Sequence, residues 1–290
     1  MSFFRKYSPY FALSSGILAL SLSSFFIRWA NSPGTVTSFF RMALAAIVLT
    51  TFCLHRKKEW IKPDWKILLL PLLAGLFTAL DHAVWSTSIQ MTKVANATLM
   101  NNLAPAWVAL IAVTFWREKL GWRFWLGLVL TLAGAGVILG NDLIANPHLT
   151  AGDMLGILSS LFYAGYFLVT QRGRKQFDTL TYIWAMAIFC AAFLLVINLG
   201  LGRALGGYTL STYLVFLAAA LVSQIVGYFS VAYALGHLPA AVVSPTMIAQ
   251  PVLTALLAIP FLGEALQPGQ WLGGLTVLAG IYLVNRSHQA

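Results

Sequence analysis

The sequence predicts an all-α integral membrane protein with ten transmembrane helices in two inverted five-helix repeats. Composition, long apolar runs and an internal copy carry that expectation. Of 290 residues, 59% are hydrophobic and only 9% are charged, against about 25% charged in a soluble domain. Residues 204–263 contain no Lys, Arg, Asp or Glu. A ~30 Å hydrocarbon core takes ~20 apolar residues per helix, so that stretch alone accommodates at least two spans. Sliding residues 95–134 onto 241–280 matches fourteen of forty positions without a gap. Pro105, Phe115, Glu118, Leu120, Trp125, Leu126, Gly127 and Gly134 fall on Pro251, Phe261, Glu264, Leu266, Trp271, Leu272, Gly273 and Gly280. A duplicated unit with an odd number of spans emerges inverted in the bilayer.

The spans are expected at about 8–28, 35–54, 66–90, 94–115, 122–140, 152–171, 179–199, 209–234, 240–262 and 268–285. Gly236-His237-Leu238-Pro239 separates the eighth from the ninth, because proline disfavours helical geometry in the residue before it. A closed barrel would show ten-residue alternation with polar interior positions, and these runs are continuous. The first span follows Arg5-Lys6, lacks a small-residue cleavage site and suits a retained anchor better than a signal peptide.

Charge placement orients the chain. With a cytoplasmic N-terminus, the inside segments hold Arg5, Lys6, Arg56, Lys57, Lys58, Lys62, Lys66, Arg117, Lys119, Arg123, Arg172, Arg174, Lys175 and Arg286. The outside segments hold Arg28, Lys93 and Arg203, and Arg41 lies within a span. That bias satisfies the positive-inside rule with both termini cytoplasmic. The net charge of +10 is thus a topology signal, and no soluble basic domain exists to bind nucleic acid. Cys53 and Cys190 lack metal-ligand spacing and are read as small core residues.

The repeats meet near Gly140-Asn141-Asp142 and Asn146-Pro147, giving halves 1–145 and 146–290. Gly16-Ile17-Leu18 matches Gly156-Ile157-Leu158 at a different offset, extending the copy weakly to the first span of each half.

Polar stripes mark the helix faces that matter. In the third span Thr78, Asp81, His82, Trp85, Ser88 and Thr92 lie on one face at helical spacing. The eighth span presents Gln224 and Tyr228. The fourth presents Thr98, Asn101, Asn102 and Pro105, and its counterpart Ser244 and Pro251 with Gln250 alongside. The sixth presents Ser159, Tyr163, Tyr166 and Thr170. A single Ser, Thr or Asn here is more often a helix-to-helix hydrogen bond, worth about 0.6 kcal/mol, and aromatic residues near span ends suit an interfacial belt. Asp81 and His82 stand apart because they fall mid-span. A carboxylate there costs ~2.5–3.5 kcal/mol on insertion scales and normally faces a cavity or a partner. Either the pair has a functional role at a cavity, or Asp81 answers Arg41 from the second span as a structural ion pair. Pro105 and Pro251 each remove a backbone hydrogen bond and are read as hinges or fixed kinks. Gly127, Gly134 and Gly136, with Gly273, Gly274 and Gly280, let the fifth and tenth spans pack closely, within one chain or across a dimer.

These residues resemble the drug/metabolite transporter superfamily, specifically its EamA-like ten-helix members, over nearly the whole chain. The best local signatures are Pro105 through Phe115-Trp116-Arg117-Glu118-Lys119-Leu120 and Pro251 through Phe261-Leu262-Gly263-Glu264-Ala265-Leu266, each followed by a glycine-rich span. The resemblance implies a central cavity lined by spans one to four and six to nine, and a carrier for amino acids, other metabolites or drugs. Arg41 alone lies deep within a span, which lowers the phosphorylated-substrate branch.

The leading expectation is therefore a secondary transporter of the bacterial inner membrane, working without cofactor or metal, as monomer or homodimer. It would export an uncharged or zwitterionic small molecule such as an amino acid, with protons as a candidate coupling ion. His82, Trp85, Tyr163, Tyr166 and Tyr228 would line the site, with Asn101, Asn102, Gln224 and Gln250 as hydrogen-bonding groups and Asp81, His82 and Arg41 as the ionisable set. An intramembrane protease would need a Gly-x-Ser-Gly nucleophile, which the chain lacks. A channel would favour matching polar rings, and these stripes differ between halves. Inversion has a direct check: single-cysteine variants at Glu118 and Glu264, probed with a membrane-impermeant thiol reagent on intact cells, should label only at Glu264. Labelling of both positions from one side would rule the inversion out.

Overall fold

A computed structural model of the chain describes residues 2–55, 65–92, 94–139, 148–262 and 268–289. Arg56, Lys57, Lys58, Lys62, Lys93, the repeat boundary at 140–147, and Gly263, Glu264, Ala265 and Leu266 lie outside the described residues, as do the side chains of Arg5, Lys6 and Lys66. The described elements are helices: α1 (Ser2–Ser21), α2 (Ser23–Ala30), α3 (Gly34–His55), α4 (Trp65–Met91), α5 (Val94–Asn101), α6 (Ala104–Trp116), α7 (Trp122–Leu139), α8 (Ala151–Gly173), α9 (Thr179–Gly200), α10 (Leu210–Ala219), a π-helical segment (Ala220–Tyr228), α11 (Phe229–Leu235), α12 (Ala240–Thr246), α13 (Ala249–Leu262) and α14 (Pro268–Gln289). Helix is the expected outcome, since each segment satisfies its own backbone groups where water is absent.

Among the described residues, nine helical stretches are long and apolar enough to cross a membrane, beginning with Tyr7–Ala30 and ending with Ala240–Phe261. Helix α14 occupies the tenth expected span but is not one of them; Arg286 and His288 stand in its last turn. Several expected spans are interrupted. The first breaks at Leu22 between α1 and α2, the fourth between α5 and α6, and the ninth between α12 and α13. The last two breaks fall at matching places in the internal copy. Asn102 and Leu103 precede α6, Met247 and Ile248 precede α13, and Pro105 and Pro251 sit in the first turns that follow. A first-turn proline forfeits no intrahelical bond. The prolines therefore start new helical segments rather than bend the middle of a continuous helix.

The chain folds into two compact units, Met1–Ala83 with Gly165–Leu238, and Val84–Ala164 with Pro239–Ala290. Each draws helices from both halves of the sequence, so the compact units cut across the repeat halves.

In the first unit, α3 and α9 are joined by polar contacts at two levels. Thr35 donates its hydroxyl to Asn198 Oδ1 at 2.7 Å, and Asn198 Nδ2 donates to the carbonyls of Thr35 at 3.1 Å and Leu194 at 2.8 Å. Farther along, Trp184 Nε1 donates to Thr50 Oγ1 at 2.8 Å. Between these levels Met42, Cys190, Ala191 and Leu194 pack with Ala79 of α4. Helix α1 lies against the π-helical segment, where a methyl group added at Gly16 would stand 3.1 Å from the carbonyl oxygen of Gly227. Asp178 caps α9 by accepting from the amides of Leu180 and Thr181, which meets two of the four orphan donors at a helix start. Arg174, past the end of α8, donates to the carbonyls of Ala232 and Phe177 and ties α8 to α11.

In the second unit, α7 and α14 meet backbone to backbone. A methyl group on Gly127 would come within 2.7 Å of the Gly280 carbonyl oxygen, and one on Gly134 within 2.7 Å of that of Gly273. Phe124 and Leu128 pack against Val284, and Ala135 and Ile138 against Val277, on this seam. Four of the six glycines that left a dimer open are therefore consumed within the chain. Gly136 faces open space and Gly274 faces Val252. Gly134→Val should accordingly cost about 1–3 kcal/mol through overpacking, whereas Gly136→Val should leave the thermal melt in detergent unchanged. Equal melting of the two variants would contradict the close crossing.

Candidate functional site

A buried polar cluster of the first unit is built around Arg41, the eighth residue of α3. Its side chain is 4% exposed. Nη1 donates to Ser23 Oγ at 2.9 Å, at the start of α2 where the first span breaks. Nη2 lies 2.8 Å from His82 Nε2 on α4. The guanidinium carbon stands 6.0 Å from the ring centre of Tyr228, within reach of a cation–π attraction. Tyr228 in turn meets His82 edge-on, with its hydroxyl 3.4 Å from Nε2, and packs against Tyr166 of α8 at 5.4 Å between ring centres.

The chemistry of this contact assigns the histidine. A guanidinium only donates hydrogen bonds, so His82 Nε2 must present its lone pair to Arg41, and the ring is neutral with its proton on Nδ1. Protonating Nε2 would place two cationic donors face to face at 2.8 Å. Asp81, next in sequence and 6% exposed, contributes negative charge within electrostatic reach of Tyr228 and Cys190. Arg41 is thus hydrogen-bonded to His82 rather than held solely as the partner of Asp81.

The π-helical segment carries a further group. A π-helix makes a wider turn than an α-helix and is frequent at functional sites. Here it presents Ser223, Gln224 and Tyr228, all buried. Both polar atoms of the Gln224 amide, the Ser223 hydroxyl and Arg41 Nε are buried and make no hydrogen bond among the described residues. Native proteins leave few such groups, and each calls for an explanation. Sequence reasoning found Gln224 but missed Ser223 and Ser23. The adjacent Ser223-Gln224 pair inside a charge-free sixty-residue stretch, and the Ser21-Leu22-Ser23-Ser24 run, were the available signals.

The remaining expected residues belong to the second unit. Asn101 Nδ2 donates to Ser159 Oγ at 2.6 Å and Trp107 Nε1 to Ser160 Oγ at 2.9 Å, joining the broken fourth span to α8. Asn102 turns back onto the Thr98 carbonyl at 2.9 Å. Trp85, Tyr163 and Gln250 are half-buried. Thr92 donates to Asp153, whose carboxylate also accepts from the amide and hydroxyl of Thr150 at the start of α8. The structure thus gathers Arg41, His82, Tyr166 and Tyr228, with Gln224 one turn from Tyr228, in one unit. It links Asn101 to α8 in the other, and it divides the α4 stripe after Ala83.

Comparison with known proteins agrees with this architecture. The model of the EamA-like transporter family matches twice, at residues 8–140 and 150–286. An uncharacterised transporter of Archaeoglobus fulgidus is 26% identical over 269 residues, covering 91% of both chains. A probable terminal-alkyne amino-acid exporter of Streptantibioticus cattleyicolor is 26% identical, covering 66% of this chain and 64% of its own. A protein of known crystal structure superposes with a TM-score of 0.81 over 96% of both chains at 16% identity, which shows a shared fold. The two family matches span nearly every helix described above, and the chain belongs to the EamA-like transporter family of the drug/metabolite transporter superfamily.

Proposed function

We propose that this chain is a secondary transporter of the bacterial inner membrane that exports a small metabolite by alternating access. In this reading ten spans form two inverted halves, 1–145 and 146–290, with both termini in the cytoplasm. The substrate is an uncharged or zwitterionic compound, an amino acid first among them. The buried Arg41–His82–Tyr228 cluster carries the reading, because ionisable groups inside apolar spans are retained where they serve a pathway or a partner. The probable terminal-alkyne amino-acid exporter of S. cattleyicolor, a relative over 66% of the chain, supports the substrate class. Trp85, Tyr163, Tyr166 and Tyr228 offer stacking surfaces, and Asn101, Asn102, Gln224 and Gln250 offer amide contacts. Pro105 and Pro251 are the hinge candidates, since both follow helix breaks where a small backbone change disturbs few hydrogen bonds.

His82 is the coupling residue in this scheme. As a neutral acceptor it holds Arg41, and on gaining a proton it must release it. The contact is thus favoured at higher pH and opened at lower pH. Asp81, Arg41 and Tyr228 are the ionisable groups at the histidine, with Cys190 nearby on α9. A uniporter, an exchanger or a multidrug efflux carrier of the same fold is the alternative reading.

Counterflow in proteoliposomes tests the carrier itself. Internal unlabelled amino acid should accelerate entry of labelled amino acid, and a preparation without acceleration for any member of an amino-acid panel would set the reading aside. His82→Gln keeps an acceptor for Arg41 but cannot titrate, so flux should persist while its pH dependence flattens. An unchanged pH profile would remove the coupling role. His82→Ala leaves the buried guanidinium short of a partner and should cost about 1–3 kcal/mol of stability, read as a lower melting temperature than that of His82→Gln.

A further inference from the structure

The seam between α7 and α14 fixes which charged residues share one end of the second unit. A methyl group on Gly127 would stand 2.9 Å from the amide nitrogen of Val284, and one on Gly134 2.7 Å from that of Val277. Later residues of α7 thus meet earlier residues of α14. The two helices run antiparallel, and the start of α7 lies beside the end of α14. Leu120 packs into the same cluster as Phe124 and Val284, which brings the turn at 117–121 to that end as well. Arg117, Lys119, Arg123 and Arg286 are all exposed there, and among the described residues Glu118 is the half-buried acid that stands against them.

Arg286 also ends an apolar stripe. Trp271, Leu275, Leu278, Tyr282 and Arg286 follow at steps of three or four along α14, which is one face of a helix, and each is exposed. The Arg286 guanidinium lies 5.9 Å from the ring centre of Tyr282, and its Nη1 donates to the Tyr282 hydroxyl at 2.9 Å. Farther from Arg286 the stripe becomes one wall of a groove. Trp271, Leu275 and Leu278 line it with Gly274, and Val252 and Leu256 of α13 face them. Gly274 keeps the groove open, since a methyl group there would already come within 3.3 Å of Val252. At 1.5 Å of rise per residue, Leu278 and Leu275 stand about 12 and 16 Å from Arg286 along the helix axis. That is the depth of one leaflet, roughly half of a ~30 Å hydrocarbon core.

From this arrangement we infer that the outer face of α14 holds one anionic phospholipid. Its phosphate rests on Arg286, drawn there by the basic residues of the same end, and an acyl chain runs past Tyr282 into the groove between α13 and α14. A guanidinium takes phosphate oxygens in paired hydrogen bonds, and a tyrosine ring is at home at head-group level. The surplus of positive charge selects an anionic head group over a zwitterionic one. A second copy of the chain fits the groove less well: nine residues line it, against the roughly 20–30 a side of a stable protein interface. The bound chain touches Val252 and Leu256, in the first turns of α13, and so braces the segment that follows the helix break in the ninth span. The inference goes beyond the carrier reading and does not depend on it.

The test uses delipidated full-length protein in detergent, titrated with dioleoyl phosphatidylglycerol or dioleoyl phosphatidylcholine and read by native mass spectrometry. Phosphatidylglycerol should bind about 5-fold more tightly for each basic residue engaged, the factor that corresponds to the attraction of one Arg for an anionic head group. Arg286→Gln should remove that factor and leave phosphatidylcholine unaffected, whereas Arg203→Gln, at an exposed position of the first unit, should change neither. Gly274→Leu, which fills the groove, should weaken both lipids alike. Leu278→Asn supplies a second reading of the groove from an exposed position and should do the same. Equal binding of the two lipids, an Arg286→Gln protein with its preference intact, or unaltered binding in both groove variants would overturn the site. Inorganic phosphate that competes at the concentration of the lipid would assign Arg286 to a free anion and overturn it too. So would a homodimer in detergent that Gly274→Leu dissociates, because the groove would then belong to a second copy.

Discussion

In hydrocarbon a polar group that lacks a partner is costly, and that constraint shapes every feature described above. Backbone groups meet it by forming helices. Each helix break then has to be excused locally. The break before α6 falls next to a proline that has no N–H to satisfy, and so does the break before α13. Asn102 reinforces the first by folding back onto Thr98. Matching breaks at matching places in a duplicated sequence are the point at which the internal copy becomes visible in the backbone itself.

Side chains meet the same constraint in two different ways. Asn198 exemplifies the structural solution: its amide is used on both sides, binding α9 to α3 with nothing to spare. Asn101 and Trp107 act similarly towards α8. Around Arg41 the solution is incomplete. The guanidinium is met by a hydroxyl and a neutral imidazole, weaker partners than a carboxylate, and elsewhere in the same unit Ser223 Oγ and the Gln224 amide make no hydrogen bond among the described residues. A polar network that is fully satisfied rigidifies a fold.

The glycine seam shows how close packing substitutes for hydrophobic driving force. Lipid tails are as apolar as leucine, so helices gain by fitting together rather than by escaping solvent. Gly127, Gly134, Gly273 and Gly280 bring α7 and α14 within backbone contact, and the valines at 277 and 284 fill the seam. The outward faces of the same helices carry Trp122, Val129, Leu275 and Tyr282, exposed in the way that a lipid-facing surface requires.

The amino-acid sequence determined the helical membrane class, the position of most helices, the family and the mid-span placement of Arg41, Asp81 and His82, because each is a local property. Apolar length sets a span, and a charge within one is conspicuous by itself. The match of Pro105 with Pro251 likewise announced where helices would be interrupted, although not that the proline would open the next segment. Only tertiary structure decided who meets whom. Helical periodicity placed Asp81, His82 and Trp85 on one face, but the fold divides that face between two units. It pairs His82 with Arg41 from a helix forty residues away, and it winds Ala220–Tyr228 as a π-helix, so that Ser223 joins Gln224 in the interior. Such pairings depend on helix rotation and on helix crossings. Neither is encoded in the spacing of a single span.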